Sequence, residues 1–172
     1  MKRSLCILIF CLPLMLYAQH HLEFLGHPIT GNLKEFVKKL EADNFIPVSK
    51  KYRFKGMKTR TLKGEFWKLP ECHIVVRKPS KMENVTSVLI RPLSGYVLLE
   101  DMIEAYDNKY NDHMTNYPKT DANAVIYTWD VHKGCIQIYA STVYGQAFSI
   151  VYRDNTEVTM LNNLIDKVDS DL

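Results

Sequence analysis

YTWDVHKGCIQIYASTVYGQAFSIVYR, Tyr127 to Arg153, decides the fold class. Its apolar and aromatic residues are cut by turn signals at 130–134 and at Gly145. The stretch therefore predicts two consecutive strands, 135–140 and 146–153, led in by a third over 124–129. FWKLPECHIVVR, Phe66 to Arg77, is a fainter copy of its first half. Each has an aromatic pair with a Trp (Phe66 and Trp67; Tyr127 and Trp129), a tight connection, then a Cys opening an apolar strand (Cys72; Cys135). The copies are imperfect: Cys72 shares strand parity with Ile74 and Val76, whereas Cys135 shares it with Gln137 and Tyr139.

Outward from these strands the pattern changes to a helical period. Leu33, Phe36, Val37 and Leu40 recur at i, i+3, i+4 and i+7 behind Asn32, a capping residue with Glu35 placed to complete a capping box. Leu99, Met102, Ile103, Tyr106 and Tyr110 form a second stripe, with Glu100 and Asp101 in the first turn, where the helix dipole favours acids. A closing helix carries Leu161, Leu164, Ile165 and Val168, with Thr156 as its expected cap. Between the first helix and Arg91, alternation predicts strands at 51–55, 59–67 (with Gly64 as a bulge), 72–77 and 86–91, while Pro47 confines 45–48 to an edge. Residues 111–123, polar and holding Pro118, read as a loop. Hairpin-length links make antiparallel pairing the expectation. The class is α+β: antiparallel sheet, one or two, with helices on one face, built as two helix-plus-strands units, 19–92 and 93–172.

The N-terminus reads as a secretory signal over residues 1–18. Lys2 and Arg3 start it, an apolar run from Leu5 to Leu16 follows, and Leu16, Tyr17 and Ala18 form a cleavage site before Gln19. The expected location is periplasmic or extracellular, with no membrane span after the signal is removed. Two cysteines, Cys72 and Cys135, then remain. In an oxidising compartment they predict one disulfide, with two separate buried thiols as the alternative.

Charge is uneven. Residues 19–95 hold 15 basic and 7 acidic side chains, and residues 96–172 hold 5 and 12. Such asymmetry points to a charged partner surface or to two halves that face each other. The stretch Lys50 to Lys68 concentrates it: eight Lys or Arg against Glu65, interleaved with Tyr52, Phe54, Phe66 and Trp67. Charge and rings in this pattern suit an anionic polymer, with a glycan ahead of nucleic acid. A half-buried strand with a solvated lysine face accounts for the same spacing and is preferred.

Zinc or thiol chemistry from Cys72, His73, His132 and Cys135 is disfavoured, because neighbours on a strand face opposite ways. No nucleotide-loop, serine-hydrolase or zincin motif is present in the sequence, and no cofactor is expected.

The helix residues Leu33, Phe36 and Leu40, with Gly64 and Phe66, then Trp129, Gly134, Ile136, Ile138 and Tyr152, resemble small exported Bacteroidales proteins of unknown function. In layout the chain is similar to tandem helix-plus-sheet folds such as the β-lactamase inhibitor protein and BamE-like envelope modules. The resemblance implies a fold and no site residues. The functional expectation is an exported binding module without catalysis that engages another envelope or extracellular protein, with Tyr52, Arg53, Lys55, Trp67 and Trp129 as contacts. A polyanion binder through Lys50 to Lys68, or a hydrolase with a site assembled from dispersed residues, are the alternatives.

Overall fold

The computed structural model describes residues 21–94, 99–117, 123–141 and 148–170. The expected signal over residues 1–18, the Gly145 turn and part of the 111–123 loop lie outside the described residues.

A two-residue turn joins β1 (Glu23–Phe24) to β2 (His27–Pro28). Helix α1 (Leu33–Ala42) starts where expected: the Asn32 side chain accepts from the Lys34 backbone N–H at 2.8 Å, satisfying a first-turn donor. Phe36 and Leu40 are its buried stripe. Then follow β3 (Ile46–Pro47), β4 (Met57–Phe66), β5 (Leu69–Pro79) and β6 (Ser87–Ser94). The second half repeats this order with α2 (Leu99–Tyr110), β7 (Met114–Asn116), β8 (Ala124–Val131), β9 (Gly134–Ser141) and β10 (Phe148–Asp154), and α3 (Asn155–Ser170) follows.

Eight strands form one antiparallel sheet in the order β3-β4-β5-β6-β10-β9-β8-β7. Each half runs from a short outer strand inward, and the halves join where β6 meets β10, with Ile90 opposite Ile150. Strand parity sorts the two faces. The row Leu62, Ile74, Ile90, Ile150, Ile138 and Tyr127 packs under α1 and α2. Each fully buried aliphatic side chain there contributes about 1.5–3 kcal/mol by leaving water. The opposite face carries Thr61, Val75, Leu89, Val151, Gln137 and Thr128, and its smaller apolar cluster is Val75, Leu89 and Val151.

Four expectations change. Residues 51–55 are not a strand; they cross the second face as an irregular segment, with Tyr52 and Phe54 packed on its apolar cluster. Residues 114–116, read as loop, pair with β8 as an edge strand. Asp154 rather than Thr156 caps α3, accepting from the Thr156 N–H at 3.2 Å and its hydroxyl at 2.8 Å. Cys72 and Cys135 are free and buried, so the expected disulfide does not form. Cys72 lies on the helix-covered face with Ile74, and Cys135, opposite Arg153, lies on the other. Three strand spacings of roughly 4.8 Å also separate β5 from β9. A bridge tolerates about 7 Å between Cα atoms.

Candidate functional site

On the helix-covered face the N-terminal hairpin joins the core through Leu22, Phe24 and Ile29. Leu22 is tied down through its backbone N–H to Asp154 Oδ1 at 3.0 Å. Phe24 stacks on Phe66 with ring centroids 5.5 Å apart and meets Tyr152 edge-on at 5.3 Å. Phe66 ends β4, so the β1–β2 turn and the β4–β5 turn arrive side by side. Facing them is α2, which presents Met102, Tyr106 and Tyr110.

These three elements, with Tyr152 of β10 and Lys133 of the β8–β9 turn, line a groove of about 590 Å³. Such a volume suits a small ligand or an anchoring side chain. Phe66, Met102, Tyr106 and Tyr152 are its apolar floor, Leu25 and Trp67 its edge, and Lys109, Lys133 and Glu23 its charged lining. Tyr106 and Tyr152 join hydroxyls at 2.7 Å beneath it. Burial pushes both phenols well above their ordinary range, so they stay protonated.

The edge residues are unusual in two respects. Leu25 is 47% exposed and Trp67 44%, although both are large and apolar. Both also occupy the left-handed region, with φ of 52° each. Gly26, at φ 76°, completes a turn of two positive φ angles after Leu25, the primed type that closes a tight hairpin. At Leu25 and Trp67 a side chain is held where glycine would be unstrained, at about 1 kcal/mol or more each. Both residues thus display apolar surface beside the groove from strained backbone positions.

The structure separates the residues expected to share a site. Trp67 is on the groove edge, with the Lys68 ammonium 4.8 Å above its ring. Trp129 is only 1% exposed: it packs on Tyr106 at 5.2 Å and donates its indole N–H to Asp107 at 2.9 Å, so it is core. Tyr52, Arg53 and Lys55 lie on the crossing segment over the other face. There the Tyr52 hydroxyl meets His73 Nδ1 at 2.7 Å, and Arg53 and Lys55 point to solvent. All eight basic side chains of residues 50–68 are exposed. They do not form one stripe, because Lys58 and Arg60 share the parity of Leu62 while Lys63 has the opposite one and pairs with Glu71 at 2.5 Å.

Cys72 and His73 face opposite sides of β5, as parity requires. Burial, with Glu65 as a lesser cause, pushes the Cys72 thiol up to about 12. Burial likewise raises Cys135 to about 11, Arg153 opposing it. Neither is a thiolate at neutral pH. Among the described residues no three His, Cys, Asp or Glu side chains converge to hold a metal.

Sequence reading missed a buried ionic cluster on the second face. Glu157, 3% exposed in the first turn of α3, accepts from Arg153 at 2.6 Å, Thr86 at 2.7 Å, Ser87 at 2.5 Å and Arg77 at 3.4 Å. Burial acts to raise its carboxyl, but Arg77, the two hydroxyls and Arg153 outweigh it and hold it below the ordinary range. Burial brings Arg77 down to about 10 despite Glu157 beside it. No sequence signal links partners 70 to 80 positions apart.

No protein-family model, no curated protein and no solved structure matches this chain.

Proposed function

We propose that the protein is an exported, non-catalytic binding module that engages another envelope or extracellular protein through the groove edged by Leu25 and Trp67. One observation carries this reading: two large apolar side chains, held in strained conformations on adjoining turns, flank an apolar-floored groove of about 590 Å³. A partner side chain entering it would cover Trp67 and the floor together, the arrangement of an interface hot spot. Export rests on the signal pattern of residues 1–18. Against a cysteine nucleophile stand the two thiols, which burial raises.

Selection of a displayed random-peptide library on the wild-type protein tests this. Enriched peptides are expected to carry clustered apolar anchors and to lose on the order of 30-fold in affinity on Trp67→Ala, the scale of a hot-spot Trp. Peptides that bind Trp67→Ala equally well, or no enrichment at all, would contradict the reading.

A second reading, a polyanion held by residues 50–68, has the exposure of all eight basic side chains in its favour. It requires heparin binding that weakens steeply with salt. The scatter of these charges over both faces makes it the lesser reading.

A further inference from the structure

Four of the eight basic side chains of residues 50–68 line one cleft. β3 ends at Pro47 and pairs only with Leu62 and Lys63, so no strand covers the outer edge of β4 from Met57 to Arg60. The crossing segment lies beside that edge, fastened by the Thr59 hydroxyl, which donates to the Tyr52 carbonyl at 2.8 Å. Between this segment, the edge of β4 and Leu33 of α1 is a cleft of about 490 Å³, within the range of small-ligand sites. It shares no lining residue with the groove beside Trp67. Lys51 and Arg53 reach it from the segment, and Lys58 and Arg60 from β4. Among the described residues no acid joins the lining, and none of the four cations, all exposed, has a carboxylate partner.

A cleft lined by one sign of charge focuses its field and draws a ligand of the opposite sign. Four cations on two separate chain segments call for several anionic groups rather than one. The rings narrow the class further. Tyr52 already has the Lys50 and Arg91 cations 5.5 and 5.1 Å from its ring centre and its hydroxyl on His73. Phe54 packs on the Val75 cluster with the Arg77 guanidinium at 5.2 Å. Rings so engaged are not the open platforms on which successive nucleic-acid bases stack. Recognition is left to the charges, which suits anionic substituents carried on a hydrated sugar frame. Resting on the polyanion reading above, we propose that this cleft is the binding site for a polyanionic glycan, whose sulfate or carboxylate groups pair with Lys51, Arg53, Lys58 and Arg60.

A heparin oligosaccharide is the probe, titrated into the protein by calorimetry at low and at physiological salt. Wild type is expected to bind it with an affinity that falls steeply as salt rises. Lys51→Gln/Arg53→Gln/Lys58→Gln/Arg60→Gln should lose on the order of 30-fold, from four exposed contacts each worth roughly two- to threefold. Lys50→Gln/Lys55→Gln/Lys63→Gln/Lys68→Gln removes the same charge from the rest of the stretch and should lose no more than a fewfold. All eight positions are exposed, and circular dichroism confirms that both variants are folded. Equal losses would overturn the cleft and leave a polyanion held by charge spread over residues 50–68. No heparin binding at low salt would overturn the cleft and that reading together, while the groove is judged separately by the library selection. Oligothymidylate bound as tightly as heparin would overturn the glycan in favour of nucleic acid. Salt-sensitive self-association that the cleft variant abolishes would overturn it in favour of the acidic half of a second copy.

Discussion

Glu157 offers the sharpest test of the energetics. Its carboxylate lies between two arginines in a site from which water is almost excluded, and it also accepts from Thr86 and Ser87. Glu157→Ala leaves Arg77, itself 6% exposed, without its opposite charge. Removing one partner of a buried pair costs about 3–5 kcal/mol. For a chain of this size each kcal/mol lowers the melting temperature by roughly 2–4 °C, so a fall of about 6–20 °C is expected. Thermal unfolding followed by far-UV circular dichroism measures the fall, and urea unfolding the free-energy cost. Arg77→Met/Glu157→Leu should recover at least half of the loss, because the pair's stabilisation is offset by the desolvation of both ions. The pH dependence has a definite sign. The folded carboxyl titrates below its ordinary 4.5, so the contribution is present above that value and is lost as pH falls through the lowered one. Glu157→Ala should accordingly flatten the acid limb below pH 4.5. A cost under about 1 kcal/mol with an unchanged acid limb would refute the buried-cluster account.

Other outcomes follow from local geometry. A Cβ on Gly64 would sit 2.4 Å from the Phe45 ring, so Gly64→Ala should destabilise by about 1–3 kcal/mol in urea titration. Cys72 and Cys135 should both resist a thiol reagent at pH 8 in the native protein, and both should react on unfolding without reductant. A single alkylation-resistant, reductant-sensitive species would restore the disulfide. Trp67→Gly should relieve the left-handed strain and raise stability by about 1 kcal/mol while removing peptide affinity. A destabilised Trp67→Gly would mean that Trp67 is held for packing.

Local signals in this chain were legible because local physics determines them. Asn32 caps α1, Phe36 and Leu40 face inward, Gly64 sits at the irregular register of β4, and Pro47 occupies an edge. Alternation misled at 51–55. A period of two reports which side chains are covered, and a coil laid across a sheet face by Tyr52 and Phe54 produces the same pattern as a strand. Trp129 misled for a related reason. A Trp can be buried completely when its N–H finds a partner, and Asp107, 22 residues earlier on α2, carries no mark of that role in the sequence. The cysteine parity did contain the answer. Opposite parities in two copies of one unit place the thiols on opposite faces, where no bridge can join them. The groove was legible only through Trp67, because its walls come from the N-terminal hairpin, the β4–β5 turn, α2, the β8–β9 turn and β10, which meet only once the two halves of the sheet have joined.

The two tryptophans make the groove directly observable. In a ¹H–¹⁵N correlation spectrum each indole N–H gives one resonance, and only the Trp67 ring lies at the groove edge, since Trp129 is buried with its N–H on Asp107. Titration with a library-selected peptide is predicted to move the Trp67 resonance to saturation and to shift that of Trp129 far less. A bound peptide that leaves Trp67 unmoved would place the docking site elsewhere on the molecule and contradict the account.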